Sequence, residues 1–171
     1  MNNFPIKYED KTFWISRSVA VAAFIFAKNK DGENCILINK RGPGCPNEVG
    51  KWTAPCGYLD YNETLTEAAM REVYEETGVS IPANLFTIVG VNASLYNNQN
   101  VTIRFRVMLN DTVENIEKQF STEHSEPNEV DDIKFVPLSE ICNYELGFRH
   151  NKVLFDVLNA ENAIFETTVK E

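Results

Sequence analysis

Two hydrophobic periods alternate along this chain, and they mark its elements. Residues 18–27 (SVAVAAFIFA) are almost unbroken apolar and β-forming, which predicts a strand buried on both faces. Asp31-Gly32 reads as a hairpin turn, and Asn34 to Arg41 (NCILINKR) as the returning strand. Residues 42–56 are dense in Gly and Pro and predict a loop, long enough to suggest a functional one. The period then lengthens to that of a helix over Thr64 to Thr77. Thr64 and Glu67 have the spacing of a capping box, and Gly78 suits the left-handed position past the C-terminus. Leu85 to Tyr96 predicts a strand broken near Gly90, followed by a turn at residues 97–100. Val101 to Leu109 alternates, with Val101, Ile103, Phe105 and Val107 on one face and Thr102, Arg104 and Arg106 on the other. Residues 110–130 read as a long acidic loop with room for one helical turn. Ile133 to Val136 is a short strand, Pro137 to Glu140 opens a short helix, and Asn151 to Asn159 is an amphipathic helix. Residues 1–16 form an arm or an edge strand. The pattern is that of one α/β domain of α+β type over residues 1–171, with helices packed on a mixed or antiparallel sheet.

Composition narrows the partners. A 171-residue chain with 43% apolar residues can bury a core unaided. A net charge of -9 argues against broad nucleic-acid binding, because phosphates are repelled. Small anions remain open, given help from metal or clustered arginines. Four cysteines without a Cys-x-x-Cys pair, and only two histidines, make a zinc site a poor expectation. No signal-like segment is visible, and the longest apolar run, Val19 to Ala27, is too short for a bilayer. A cytoplasmic protein with reduced thiols and no membrane partner is therefore expected.

The helix carries the chemistry. At about 100° per residue, Glu72 and Glu76 lie about 40° apart and Glu75 about 60° to the side, so three carboxylates fall within roughly a quarter of the circumference. Leu65 and Ala69 share the stripe of Glu72 and Glu76, so the acids point inward. Like charges so placed repel, and burial makes that worse. A hard divalent cation such as Mg²⁺ relieves the repulsion, since it favours carboxylate oxygens. Glu-rich helices are usually just solvated faces, so these three acids alone decide nothing.

The wider spacing does. Gly57, Glu63, Arg71, Glu72, Val73, Glu75, Glu76, Gly78 and Val79 match every defining position of G-x5-E-x7-R-E-U-x-E-E-x-G-U, where U is aliphatic. From average residue usage such a match has a chance on the order of 10⁻⁹ to 10⁻¹⁰ at a given start. The stretch resembles the Nudix box, and a looser likeness runs from about residue 18 to 142. The resemblance implies a mixed sheet sandwiched between helices and a hydrolase that uses Mg²⁺ or Mn²⁺ to cut a diphosphate linkage in a nucleotide-like small molecule. Glu72 and Glu76 would be metal ligands, and Glu75 a third ligand or the water activator. Arg71 would orient a box glutamate, Glu75 first. Glu63 would buttress the loop or reach metal through water. The family often has Gly where Cys56 stands, and the backbone carbonyl there often meets the metal in relatives. A base or further ligand is expected from the downstream loop, Glu129 first and Glu126 second.

Substrate contacts are expected from Arg41, Arg104, Arg106, Trp52 and Tyr96. Arg41 ends its strand where a phosphate would lie, Arg104 and Arg106 share a strand face, and Trp52 offers a stacking surface or a loop anchor. Tyr96, seventeen residues after Val79, sits at the spacing of a tyrosine in dinucleoside polyphosphate hydrolases, which leans the reading toward that substrate. ADP-ribose, nucleotide sugars and modified nucleoside triphosphates are the alternatives. A non-catalytic nucleotide sensor and an isoprenoid diphosphate isomerase are the competing classes, and a homodimer is open through the N-terminal arm.

Overall fold

The computed structural model describes residues 4–93 and 100–160. Strands β1 (Phe4–Tyr8) and β2 (Lys11–Ile15) form a separate two-stranded hairpin. The N-terminal segment is thus an arm and no edge strand of the main sheet. The main sheet is built on β3 (Ser18–Lys28) and β4 (Asn34–Arg41), with β5 (Trp52–Thr53), β6 (Cys56–Tyr58), β7 (Thr87–Asn92), β8 (Asn100–Thr112) and β9 (Val130–Pro137). Helix α1 spans Leu65–Thr77, α2 is one turn at Val113–Ile116, and α3 is His150–Asn159. β3 pairs parallel with β8, and every other pairing in this sheet is antiparallel, so the sheet is mixed.

A fork in this sheet makes the site. β3 and β4 pair only near their hairpin, from Phe26↔Ile36 to Lys28↔Asn34. Beyond it β5 takes the edge of β4 that β3 leaves, at Asn39↔Thr53 and Lys40↔Trp52, and β6 takes the place of β4 against β3, at Ala20↔Tyr58 through Ala22↔Cys56, while β9 follows the other edge of β4 from Cys35 to Arg41. The chain between β5 and β6 closes the gap, with the Ala23 N–H donating to the Pro55 carbonyl at 2.9 Å. α1 lies over this fork.

Two apolar layers hold the sheet, as alternation requires. Val21, Ala23, Ile25, Leu37, Ile103 and Phe105 face α1 through Ala68, Ala69 and Val73. Ala22, Phe24, Phe26, Ile36 and Ile38 face α3 through Val153, Leu154 and Val157. α1 starts and stops as its sequence predicts. Thr64 and Glu67 complete a reciprocal capping box, and Gly78 takes φ 76° with its N–H on the Tyr74 carbonyl.

Several boundaries move. β8 runs on to Thr112 and leads directly into α2, so the irregular acidic stretch is shorter than residues 110–130. β9 extends from Val130, with Asp132 and Lys134 as ladder positions opposite Lys40 and Ile38, Asp131 at a register shift, and Lys134 paired to Asp132 at 3.0 Å. The helix expected at Pro137 is a 3₁₀ turn at Ile141–Asn143. The break near Gly90 is a register shift between Ile88 and Gly90. No helix among the described residues is long and apolar enough to cross a membrane.

Candidate active site

Glu76 is the deepest acid among the described residues, 2% exposed. Its Oε2 accepts the Cys56 N–H at 3.0 Å, while its Oε1 has no hydrogen-bond partner among the described residues. Burial raises its pKa well above the ordinary value, and the neighbouring Glu72 charge adds to that. Glu72 is pushed up to about 7 by burial, against the lowering effect of Arg71. Its carboxylate lies over Gly57, where a Cβ would come within 2.2 Å of Oε1. A side chain at position 57 would therefore have to displace the Glu72 carboxylate, the movable end of its side chain.

Arg71 is the hub beside them. Nε and Nη2 donate to both oxygens of Glu63 at 3.1 and 2.8 Å, Nη1 to Glu72 at 2.8 Å and Glu75 at 2.9 Å, and Nη2 also to the Tyr58 carbonyl. The bidentate Arg71 contact holds the Glu63 carboxyl below its usual range. The orienting role expected for Arg71 toward Glu75 is therefore shared, with Glu63 as its firmest partner. Glu75 is turned toward Arg71 and its side chain is 40% exposed, so the convergence is of Glu72 and Glu76 rather than of all three acids. Among the described residues no three His, Cys, Asp or Glu side chains already enclose a cation position. Two carboxylate oxygens of the set are on Arg71.

The downstream loop delivers one acid. Gly42 N–H donates to the Glu129 carbonyl at 2.7 Å, Gly44 N–H to the Asn128 carbonyl at 2.8 Å, and the Cys45 thiol to the Glu129 carbonyl at 3.2 Å. Gly42 and Gly44 allow this: a Cβ would meet the Asn128 and Pro127 carbonyls at 2.3 and 2.5 Å. Glu129 is near enough that its charge raises both Glu72 and Glu76. Glu126 is exposed.

The other candidates divide. Arg41 is buried, donates to the Asn47 carbonyl and side chain, lies 5.0 Å over Phe148, and opposes the rise at Glu76. The Cys56 thiol is raised by burial first, so a neutral thiol, not a soft thiolate ligand, stands here. Trp52 meets Tyr144 edge-on at 5.5 Å with the Lys134 ammonium 4.4 Å over its ring, and its backbone pairs with Glu145 and Gly147. It anchors the loop. Arg106 donates to the Leu158 and Ala160 carbonyls and closes the end of α3. Arg104 is buried on the same sheet face, with Asp156 supplying opposing charge. Alternation placed these two arginines correctly, but α3 covers their face. Tyr96 lies outside the described residues.

Three buried polar residues went unnoticed in the sequence. Asn39 and Thr53 are buried, and His150 accepts the Ala54 N–H at Nδ1 with its pKa pushed down to about 3 by burial. Asn39 carried a signal, an amide at an inward position of the Cys35, Leu37 alternation. His150 carried none.

The family model described as NUDIX domain matches residues 17–157. The chain belongs to the Nudix family. Its similarity to the Phosphatase NudJ of Escherichia coli (strain K12) is 59% identity over 34 residues, 20% of this chain and 22% of that protein. The matched stretches span less than a quarter of the curated relatives' length. The NUDIX domain of Shewanella oneidensis NrtR, solved with ADP ribose, superposes with TM-score 0.65 at 19% identity, covering 84% of this chain and 88% of that one. An ADP-ribose pyrophosphatase from Streptococcus suis 89-1591 gives TM-score 0.61 at 18% identity, covering 88% and 98%. These neighbours share the Nudix fold. Within this Nudix chain the box is the segment from β6 through α1, seated on the sheet fork.

Proposed function

We propose that this Nudix chain is a divalent-metal-dependent hydrolase of a diphosphate linkage between a nucleoside and a second moiety. One observation carries the reading: a buried carboxylate oxygen on Glu76 with no hydrogen-bond partner among the described residues, beside a half-buried carboxylate on Glu72. Two ionised buried carboxylates are unfavourable without a counter-charge, and the oxygen-only donor set suits Mg²⁺ or Mn²⁺. Glu72 and Glu76 would hold the ion, with Glu75 joining if it leaves Arg71. A bound ion of this kind neutralises phosphate oxygens and lowers the pKa of water.

The chain's own groups supply the rest. Arg71 fixes Glu72 and anchors the entry to α1 through Glu63. Glu129 accepts the proton of the attacking water, on a backbone held by the 42–45 loop. Arg41 supports the site's negative charge from below. The lean toward dinucleoside polyphosphates rests on Tyr96, while one fold neighbour was solved with ADP ribose and another is an ADP-ribose pyrophosphatase, so both compounds head the test. Purified protein with Mg²⁺ is assayed against ADP-ribose, diadenosine polyphosphates, nucleotide sugars and oxidised nucleoside triphosphates, with products identified by mass. A nucleoside monophosphate and a phosphorylated partner are expected. Tight binding without any product would favour a sensing module, and an isomerised diphosphate would favour the isomerase.

The N-terminal hairpin supports a homodimer. All ten strand residues are exposed, including Phe4, Ile6, Tyr8, Phe13, Trp14 and Ile15. A lone hairpin is marginally stable in water, and a two-fold partner would cover its apolar side chains.

A further inference from the structure

Behind the glutamates lies a second set of buried polar atoms, on residues that the hydrolase reading does not use. Asn39 and Thr53 are 1% and 0% exposed and are register partners across β4 and β5. Both face α1. Leu37, two residues before Asn39 on β4, packs in the same cluster as Val73, whereas Ala54, next to Thr53, packs in the other. Glu76 follows Val73 by less than one helical turn. Its Oε2 is fixed by Cys56, three residues after Thr53. Neither amide atom of Asn39, nor the Thr53 hydroxyl, nor Glu76 Oε1 has a hydrogen-bond partner among the described residues. Four buried polar atoms from three elements thus lie on the α1 side of the sheet.

Burying such groups unpaired is costly, and native interiors satisfy nearly all of them. Their chemistry is complementary through one kind of mediator. An amide both donates and accepts, a hydroxyl does the same, and a carboxylate only accepts. Water donates to the carboxylate while accepting from the amide, and a buried water takes about three such partners. Asn39 and Thr53 are themselves neutral. A lysine at either position would replace the cation as the counter-charge of Glu76, and two apolar residues would favour its protonated form.

We propose that Asn39 and Thr53 hold ordered water against Glu76 Oε1 and thereby set the position of that carboxylate for a divalent cation. Both are positioning residues, and the inference rests on the metal-site reading of α1. Outer partners of this kind tune metal affinity through the ligand they orient.

The test titrates Mn²⁺ into the full-length protein without substrate, following loss of the free-ion electron paramagnetic resonance signal, with a thermal melt on each variant. Thr53→Val removes the hydroxyl at constant shape, Thr53→Ser keeps it, and Asn39→Leu removes the amide. Thr53→Val and Asn39→Leu should weaken Mn²⁺ binding about tenfold or more, and Thr53→Ser should bind close to wild type. If Asn39→Leu does not fold, the Thr53 pair decides. Wild-type affinity in Thr53→Val, with a raised melting temperature, would show that the hydroxyl is merely unpaired and overturn the inference. Equal loss in Thr53→Val and Thr53→Ser would overturn it as well, by assigning the effect to packing. A wild-type protein that binds no Mn²⁺ removes the metal site, and this inference with it. A wild type that binds beside an unaffected Thr53→Val sinks the inference alone.

Discussion

Replacing Gly57 by Ala probes the narrowest point of the site. The new Cβ would stand 2.2 Å from Glu72 Oε1, 2.3 Å from Cδ and 2.4 Å from Oε2, against ordinary contact from 3.4 Å. The carboxylate must retreat by about an ångström. It is the end of a flexible side chain, so the fold can yield. The retreat breaks the 2.8 Å hydrogen bond from Arg71, whose loss costs about 1 kcal/mol for a partly exposed group. Stiffening of the unfolded chain offsets roughly 0.4–1 kcal/mol of that, so the melting temperature should move by no more than a few degrees. Catalysis is less forgiving, since a misplacement of about 1 Å can cost on the order of 10²-fold. A thermal melt, an Mn²⁺ titration and turnover on the substrate found in the panel, measured on one preparation, separate these effects. Wild-type turnover and Mn²⁺ affinity in a folded Gly57→Ala protein would refute the reasoning, because Glu72 would then work from a place the structure does not give it.

Three further outcomes are expected. Glu129→Gln should slow turnover at least about tenfold, as loss of a general base does, while Glu126→Gln leaves it unchanged; an unaffected Glu129→Gln would pass the role to Glu126 or Glu75. In the metal-free protein Glu72 ionises in the unfolded chain near its usual 4.5 but in the folded state at about 7. Its contribution is therefore lost as pH rises across that window. Melting temperature without metal should fall from pH 5 to pH 8 and recover with millimolar Mg²⁺; a flat profile in both arms would contradict the burial of that charge. Removing residues 1–16 should turn a dimer into a monomer by light scattering, and a monomeric full-length protein would dismiss the hairpin as the contact.

Much of this molecule could be read from residue order. The box spacing located β6, α1 and the acids on it, and the capping box and Gly78 closed α1 where expected. The alternation of β8 put Ile103 and Phe105 in the core. It put Arg104 and Arg106 together too, but period two tells which residues share a face and not what covers it. α3 covers theirs, so Arg106 caps a helix. The fork between β3 and β4 left no trace, since Phe26↔Ile36 pairing and its loss beyond Ile36 go with where β5 and β6 dock. Glu75 was grouped with Glu72 and Glu76 by helical angle, yet the i,i+4 contact from Arg71 draws it outward. The spacing identifies that ion pair as available. The competition among Glu63, Glu72 and Glu75 for one guanidinium is decided only in three dimensions.

The central claim is a cation pocket at Glu72 and Glu76, and anomalous diffraction at the manganese edge from crystals grown in millimolar Mn²⁺ tests it most directly. A peak in contact with Glu76 Oε1 and a Glu72 oxygen, abolished in Glu76→Gln, is the predicted result. An empty pocket with both carboxyls paired elsewhere in the protein would contradict it.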